Sequence, residues 1–425
     1  MTTPTTIEPK EIRINDREQL IYLLTEAAEI EHGLMCCYLY AAWSLKERLD
    51  EGLTEAQLAA VNAWRGRIHG VAMEEMLHLA LVTNLLMSIG SPPHFGRQNF
   101  PVAPGYHPAS LVIRLQKCNL DTLAHFIYLE RPEGTSLPQA PGFESQMGYQ
   151  RSAGGVKLTP NAEDYDTVGH LYRGIDRGFE LLAEQLGESA LFIGAPSAQV
   201  HPELLSLPGM QAVTDLDSAR AAIAIIVEQG EGGRQDHEKS HFAHFTSIAK
   251  QYEDMLAADP SFQPYRDLAP DPLMFPPMPG TPGTHVNAPE AASVLDLANA
   301  CYGLMLRLLA SGCGANYDAP ARSAQIGSAI GVMSIVKTLS VFLTTLPATN
   351  IPGERRASMN FHLSRSTLAL PQREGGLVLL AERARELAGA AQLIAWPAGS
   401  PAARLVDRLA AIGAELAEQV AAPGP

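Results

Sequence analysis

Three Glu-x-x-His pairs occur in this 425-residue chain: Glu29/His32, Glu75/His78 and Glu238/His241. A carboxylate and an imidazole three residues apart on a helix share one face, so both can reach one ion. Carboxylate oxygen and imidazole nitrogen together suit iron or manganese. A single such pair is weak evidence, because hydrogen-bonded or solvated Glu and His neighbours are common. The hydrophobic pattern around each pair separates them.

Steps of three and four through Trp64, Ile68, Val71, Glu75, His78, Val82, Leu85 and Ile89 give one apolar face with Glu75 and His78 in its middle. A second face, Glu238, His241, Phe245, Ile248 and Tyr252, opens on an acid and an imidazole. A third, Leu20, Leu24, Ala27, Glu31, Leu34, Tyr38, Ala41 and Leu45, is apolar except for Glu31 and the Tyr38 hydroxyl. Glu29/His32 lies off its stripe and reads as a chance match. A lone buried carboxylate costs several kcal/mol or is driven to its neutral form. Several together are tolerable if a cation neutralises them. A Glu from one helix and Glu-x-x-His from another, repeated on two more helices, is the ligand pattern of ferritin-like di-metal bundles.

Other candidates are more open. Glu228 and Glu231 stand three apart just before a glycine break. They are either carboxylates re-aimed by that break or exposed acids at an ordinary helix end. His170 lies beside the stripe Val168, Leu171, Ile175, Leu182 and Leu186 rather than in it. Tyr38 reads as core packing, with a hydroxyl within range of the site as the alternative. Cys36 and Cys37 read as core filler, and His237 and His244 as surface or partner histidines.

The elements that must hold these residues are helical throughout. Asn15-Asp-Arg-Glu18 and Thr54-Glu-Ala-Gln57 resemble capping boxes ahead of helices running to about Lys46 and Ile89. A loop-rich stretch over about 90–161 holds one helical piece near Leu120–Glu130 and is expected to cover the mouth of the bundle. Further helices are predicted over about 165–186 and 216–256, the latter broken at Gly230–Gly233. The Pro/Gly-rich segment 261–288 reads as a linker or a rigid crossover. Helices near 289–309, 322–346 and 376–393, with an Ala-rich tail, follow it. The fold class is therefore all-α: a four-helix bundle over 15–260 with a loop insertion, a linker, and a C-terminal helical region, 289–425, packing on the bundle.

Composition narrows the function. The formal net charge is −15, which disfavours nucleic acid and anionic membrane surfaces as partners. No run of about 18 apolar residues is evident, so no membrane span is expected. The first ten residues lack the apolar core of a signal peptide, which points to a cytoplasmic protein. Five Cys without a Cys-x-x-Cys pair argue against a disulfide framework or a zinc-thiolate site. The expected partner is a small-molecule substrate, and apolar bundle faces also allow a homo-oligomer.

The strings Glu31-His-Gly-Leu-Met-Cys-Cys-Tyr-Leu-Tyr-Ala-Ala-Trp-Ser-Leu45 and Glu74-Glu-Met-Leu-His-Leu-Ala-Leu-Val-Thr-Asn-Leu-Leu86 resemble the ferritin-like domain of the iminophenyl-pyruvate dimer synthase family. So do Glu228-Gln-Gly-Glu-Gly232, Ser240-His-Phe242 and the Asn299-x-x-Tyr302-Gly303 region, and the resemblance covers most of 15–395. Members of that family couple two oxidised, imine-form aromatic amino acids in violacein- and rebeccamycin-type bis-indole pathways, and they are much longer chains. The resemblance implies Glu31, Glu75, His78, Glu228 and His241 as site residues, with Glu238 and Glu231 less firmly placed. It also implies a departure. Where the family's third helix carries Thr-x-Gly-Glu-x-Tyr, this chain has Thr167-Val-Gly-His170-Leu-Tyr172, so imidazole replaces carboxylate.

Two readings follow. In the first the chain is a metal-dependent oxidoreductase, with two ions (iron, or manganese as the alternative) held by Glu31, Glu75, His78, Glu228 or Glu238, and His241, and with Glu75 as the bridge. In the second it is a non-catalytic helical scaffold whose ligands are vestigial or hold one structural ion.

Overall fold

The computed structural model describes residues 11–144, 149–152, 158–232, 239–314, 318–351, 353–365, 373–397 and 399–421. Two long helices form its spine, α1 (Arg17–Ser44) and α2 (Glu55–Ser88). Asp16, not Asn15, caps α1 by accepting the Gln19 N–H at 2.8 Å. Thr54 and Gln57 cap each other's backbone at the start of α2, as their spacing predicts. The stripes lock the two helices together: Leu20, Leu24, Tyr38, Trp64, Ile68 and Leu85 are fully buried. Each such aliphatic or aromatic side chain contributes about 1.5–3 kcal/mol on leaving water.

The other two arms of the bundle are each broken in the middle. One is made of α3 (Leu120–Leu129) and α4 (Val168–Leu186), the other of α6 (Leu216–Val227) and α7 (His241–Ala258). A four-residue helix, α5 (Glu188–Leu191), follows α4. α3 packs on α7 and α4 on α6, while α2 touches both α6 and α7. A π-helical turn, Glu228–Gly232, continues α6. The piece near Leu120 that reads as part of a loop insertion is thus a core member of the bundle. Its Leu123, Phe126 and Leu129 are buried.

The segment 261–288 is not a free linker. It holds a two-residue parallel pair, β1 (Pro272–Leu273) with β2 (Thr284–His285). It also carries the buried Asp271, which accepts from Arg114 at 2.7 Å and from the Leu115 N–H at 2.8 Å. Beyond it, α8 (Pro289–Gly312) packs on α9 (Ala319–Leu343), and α10 (Arg373–Gln392) on α11 (Leu405–Ala421). Trp43 of α1 stacks on Phe361 at 5.5 Å and seals the junction of the two helical regions.

By length and composition α2, α8 and α9 do reach what a membrane span requires, contrary to the expectation from the sequence. In the protein, 78%, 61% and 50% of their most apolar windows are buried. All five cysteines are buried free thiols.

Candidate metal centre

The centre lies where both broken arms are interrupted. α1 supplies Glu31 and α2 supplies Glu75 and His78. The residue closing α3 is Glu130, and His241 is the first residue of α7. All five are at most 7% exposed. Among the described residues they form two overlapping groups with metal-ligand spacing: Glu31, Glu75 and His78, and Glu75, Glu130 and His241.

The geometry is two half-sites about one shared carboxylate. His78 Nδ1 lies 3.1 Å from Glu75 Oε2 and 3.3 Å from Glu31 Oε2. His241 Nδ1 lies 3.1 Å from Glu75 Oε1 and 3.6 Å from Glu130 Oε2. Each outer carboxylate is held from behind by a buried tyrosine. Tyr172 donates to Glu31 and Tyr38 to Glu130. Each imidazole is held by its far nitrogen, His78 Nε2 on Gln229 Oε1 at 2.8 Å and His241 Nε2 on Glu74 Oε2 at 2.9 Å. With Nε2 on an acceptor, the neutral ring keeps its proton there and turns its Nδ1 lone pair toward the carboxylates. His241 Nδ1 is buried and makes no aligned hydrogen bond despite its two carboxylate neighbours. A lone pair facing carboxylate oxygens calls for a cation between them, and this donor set fits one.

Protons can stand in for that cation, and the titration behaviour shows it. Burial opposes charge on His78, but Glu31 and Glu75 outweigh it and raise its pKa to about 10. His241 is raised well above the ordinary imidazole range, with burial again opposing and Glu75 and Glu130 prevailing. Burial and the charge of Glu75 push Glu31 up to about 8. Burial works against ionisation of Glu75 too, yet His241 and then His78 hold its carboxyl below the usual range.

A cavity of about 20 Å³ adjoins these groups, lined also by Gly169, Gly230 and Glu231. That is room for a water-sized guest. Among the described residues of the loop-rich stretch 90–161, Leu129 and Glu130 alone line it. The π turn 228–232 lines it through Gly230 and Glu231.

The structure brings Glu31, Glu75, His78 and His241 together. It places Glu228 elsewhere: that side chain is exposed and in neither group. The buried face of α6, Ala219, Ala222, Ile223 and Ile226, continues three or four residues on to Gln229 and Gly230. The π turn's step of five then carries Glu231 inward. Glu231 sits against Gly169, where a Cβ would fall 1.7 Å from its Oε1. Arg173 Nη1 at 3.6 Å and the Thr167 hydroxyl at 3.4 Å hold it.

His170 is buried but belongs to neither group, and its Nδ1 has no partner. Val168, Gly169 and Tyr172 are the residues of that turn that line the cavity at the centre. Glu238 lies outside the described residues. Glu29 and His32 part company. Glu29 takes His94 and Tyr106, while His32 bonds the Tyr302 hydroxyl. Glu130 was missed by sequence reasoning. The signal available was an acid closing the apolar run Phe126-Ile-Tyr-Leu129 just before Arg-Pro.

The family described as Ferritin-like matches residues 24–250. Dichlorochromopyrrolate synthase of Lentzea aerocolonigenes is 29% identical over 430 residues, covering 92% of this chain and 40% of its own length. The 2-imino-3-(indol-3-yl)propanoate dimerase of Chromobacterium violaceum is 27% identical over 372 residues, covering 79% of this chain and 33% of its own. The chain thus spans well under half the length of these relatives. A ferritin like protein from Caulobacter vibrioides, known from a crystal structure, aligns at a TM-score of 0.43 and 18% identity, covering 75% of this chain and 95% of that one.

Proposed function

The chain belongs to the Ferritin-like family, and from its two half-sites we propose that it is a metal-dependent oxidoreductase acting on a small amino-acid-derived metabolite in a biosynthetic pathway. The metal is a pair of iron ions, with manganese the alternative. The observation that carries this reading is the pair of buried imidazoles tied down at Nε2 and aimed through Nδ1 at Glu75. Glu31 and His78 would hold one ion, Glu130 and His241 the other, with Glu75 between them and Glu231 alongside. When bound, such a pair supplies one-electron redox chemistry and activation of dioxygen or peroxide.

The chain's own residues do the rest. Tyr172 and Tyr38 keep the outer carboxylates aimed inward, and Gln229 and Glu74 fix both imidazole tautomers. The apolar walls Leu34, Leu129, Val168 and Ile226 keep bulk water from the charges. The relatives are a synthase and a dimerase of an indolyl imino acid. They support an enzyme, and an imine of an aromatic amino acid as the substrate class.

The test is metal content per chain on protein purified without chelator, for wild type and Glu75→Ala. About two ions in the wild type and none in a folded Glu75→Ala chain is the expected result. A wild type that stays empty after anaerobic iron loading, or a fully occupied Glu75→Ala chain, favours the scaffold reading instead.

A further inference from the structure

Tyr22, Thr25, Glu26 and Glu29 follow one another at steps of three, one and three on α1, about 120° to 180° round the helix from Glu31. They form one wall of an open cleft of about 790 Å³, whose other wall includes Tyr106, Tyr149 and Arg151. Small-molecule sites run to roughly 300–1,000 Å³, and the cavity at the metal centre is about 20 Å³. Among the cavities described, two have room for a metabolite: this cleft and one of about 610 Å³ between residues 11–15 and α4, of which only this cleft is lined by aromatic rings.

Its chemistry is specific. Tyr106 is anchored by its hydroxyl to Glu29, and Tyr149 by its hydroxyl to the His107 carbonyl at 2.8 Å, which leaves their rings as wall. Two carboxylates, Glu26 and Glu29, face one guanidinium, Arg151. Arg151 commits Nη1 to Glu26 Oε1 at 2.8 Å and to the Tyr106 carbonyl at 2.7 Å, and Nη2 to the Glu163 carbonyl. No guanidinium fork remains for a ligand carboxylate. Both oxygens of Glu29 are engaged, by His94 and Tyr106. Glu26 differs. Its Oε1 takes Arg151, the Tyr165 hydroxyl at 2.6 Å and His107 at 3.7 Å, and none of these partners uses its Oε2.

We propose that this cleft binds a small aromatic molecule carrying a protonated amine, its ammonium on Glu26 Oε2 and its ring among Tyr22, Tyr106 and Tyr149. A cation gains from both the Glu26 oxygen that takes no hydrogen bond among the described residues and the tyrosine faces, whereas an anion meets a net negative wall. The site is separate from the metal centre and does not depend on its reading.

The test is calorimetric titration of the full chain with phenethylamine, phenylacetate and n-butylamine. Phenethylamine binds, and the other two bind at least about tenfold more weakly, since one lacks the cation and the other the ring. Tyr22→Ala, at an exposed position, weakens phenethylamine binding several-fold, and Glu26→Gln removes most of it. Binding is the same on metal-free and manganese-loaded protein. The proposal is overturned by no heat from phenethylamine up to about 10 mM, by equal binding of phenylacetate, or by indifference to Tyr22→Ala. Competition by the metal would also overturn it, placing the ligand at the other site.

Discussion

The rings of His78 and His241 stack with centroids 5.5 Å apart and 29° between planes, and both turn Nδ1 to the single carboxylate of Glu75. Two basic nitrogens on one anion is a cation-binding arrangement whatever the cation. In metal-free protein the cation is the proton, which is why His78 is raised to about 10 and Glu31 to about 8 by their neighbours and their burial. Metal ions and protons therefore compete for the same atoms.

That competition has a stoichiometry. At pH 7 the metal-free centre carries protons on His78, His241 and Glu31. Adding manganese(II) to chelator-stripped protein in weak buffer should release about three protons per chain, read with a pH indicator. Metal uptake with no proton release would show that these groups are not the ligands.

Glu130 and His241 form one half-site, Glu31 and His78 the other. Removing Glu130 should empty its own half and spare the far one. Glu130→Ala is expected to bind about one ion per chain where the wild type binds about two. It also frees the buried Tyr38 hydroxyl, at a cost of about 1–3 kcal/mol in stability. Loss of both ions together, with the fold intact by circular dichroism, would mean that the halves are not separable.

Most of the centre was legible because helix period and burial are local properties. An acid or imidazole in the middle of an apolar stripe, as at Glu31, Glu75, His78 and His241, marks itself. Glu130 did not, and Glu231 stayed an open candidate, for a physical reason. Each sits where a regular helix stops, Glu130 at the end of α3 and Glu231 in the π turn. There the step of three or four no longer predicts which way a side chain faces. The same irregularity left Glu228 open between an inward and an exposed position, and it is exposed. The helical piece near Leu120 was read as part of a loop insertion because its long-range packing on α7, which makes α3 core, leaves no trace in the local sequence. The buried side of 261–288 was hidden likewise, since Asp271 is held there by Arg114, distant in sequence.

Gly169 and Glu231 should behave as a coupled pair. A methyl group at 169 would fall on the Glu231 carboxylate, so Gly169→Ala must move that side chain out of the cavity wall. The expected result is a stability loss of about 1–3 kcal/mol by chemical denaturation, together with weaker metal binding. Glu231→Ala removes the clash, so the double variant should regain stability relative to Gly169→Ala alone. Additive losses would show that the two do not touch in solution.

His125 provides an acid-sensitive element away from the centre. It is stacked on Phe143 at 3.9 Å, with Nε2 on the Val112 carbonyl at 2.6 Å. Burial, helped by the charge of Arg114, pushes its pKa down to about 3 from an ordinary 6.5. Below the ordinary value the unfolded chain takes up a proton that the folded chain refuses. The stability from a neutral His125 is thus complete above pH 6.5 and lost as pH falls from there toward 3, at about 1.4 kcal/mol per pH unit. His125→Gln keeps a donor for Val112 and cannot titrate. Thermal melts of metal-free protein at pH 7 and pH 5 should therefore show a smaller acid drop for the variant, by about 2 kcal/mol. His69, lowered by burial to about 4, leaves a residual slope in both chains. An unchanged acid drop in His125→Gln would show that the ring is reached by water and takes its proton in the folded state.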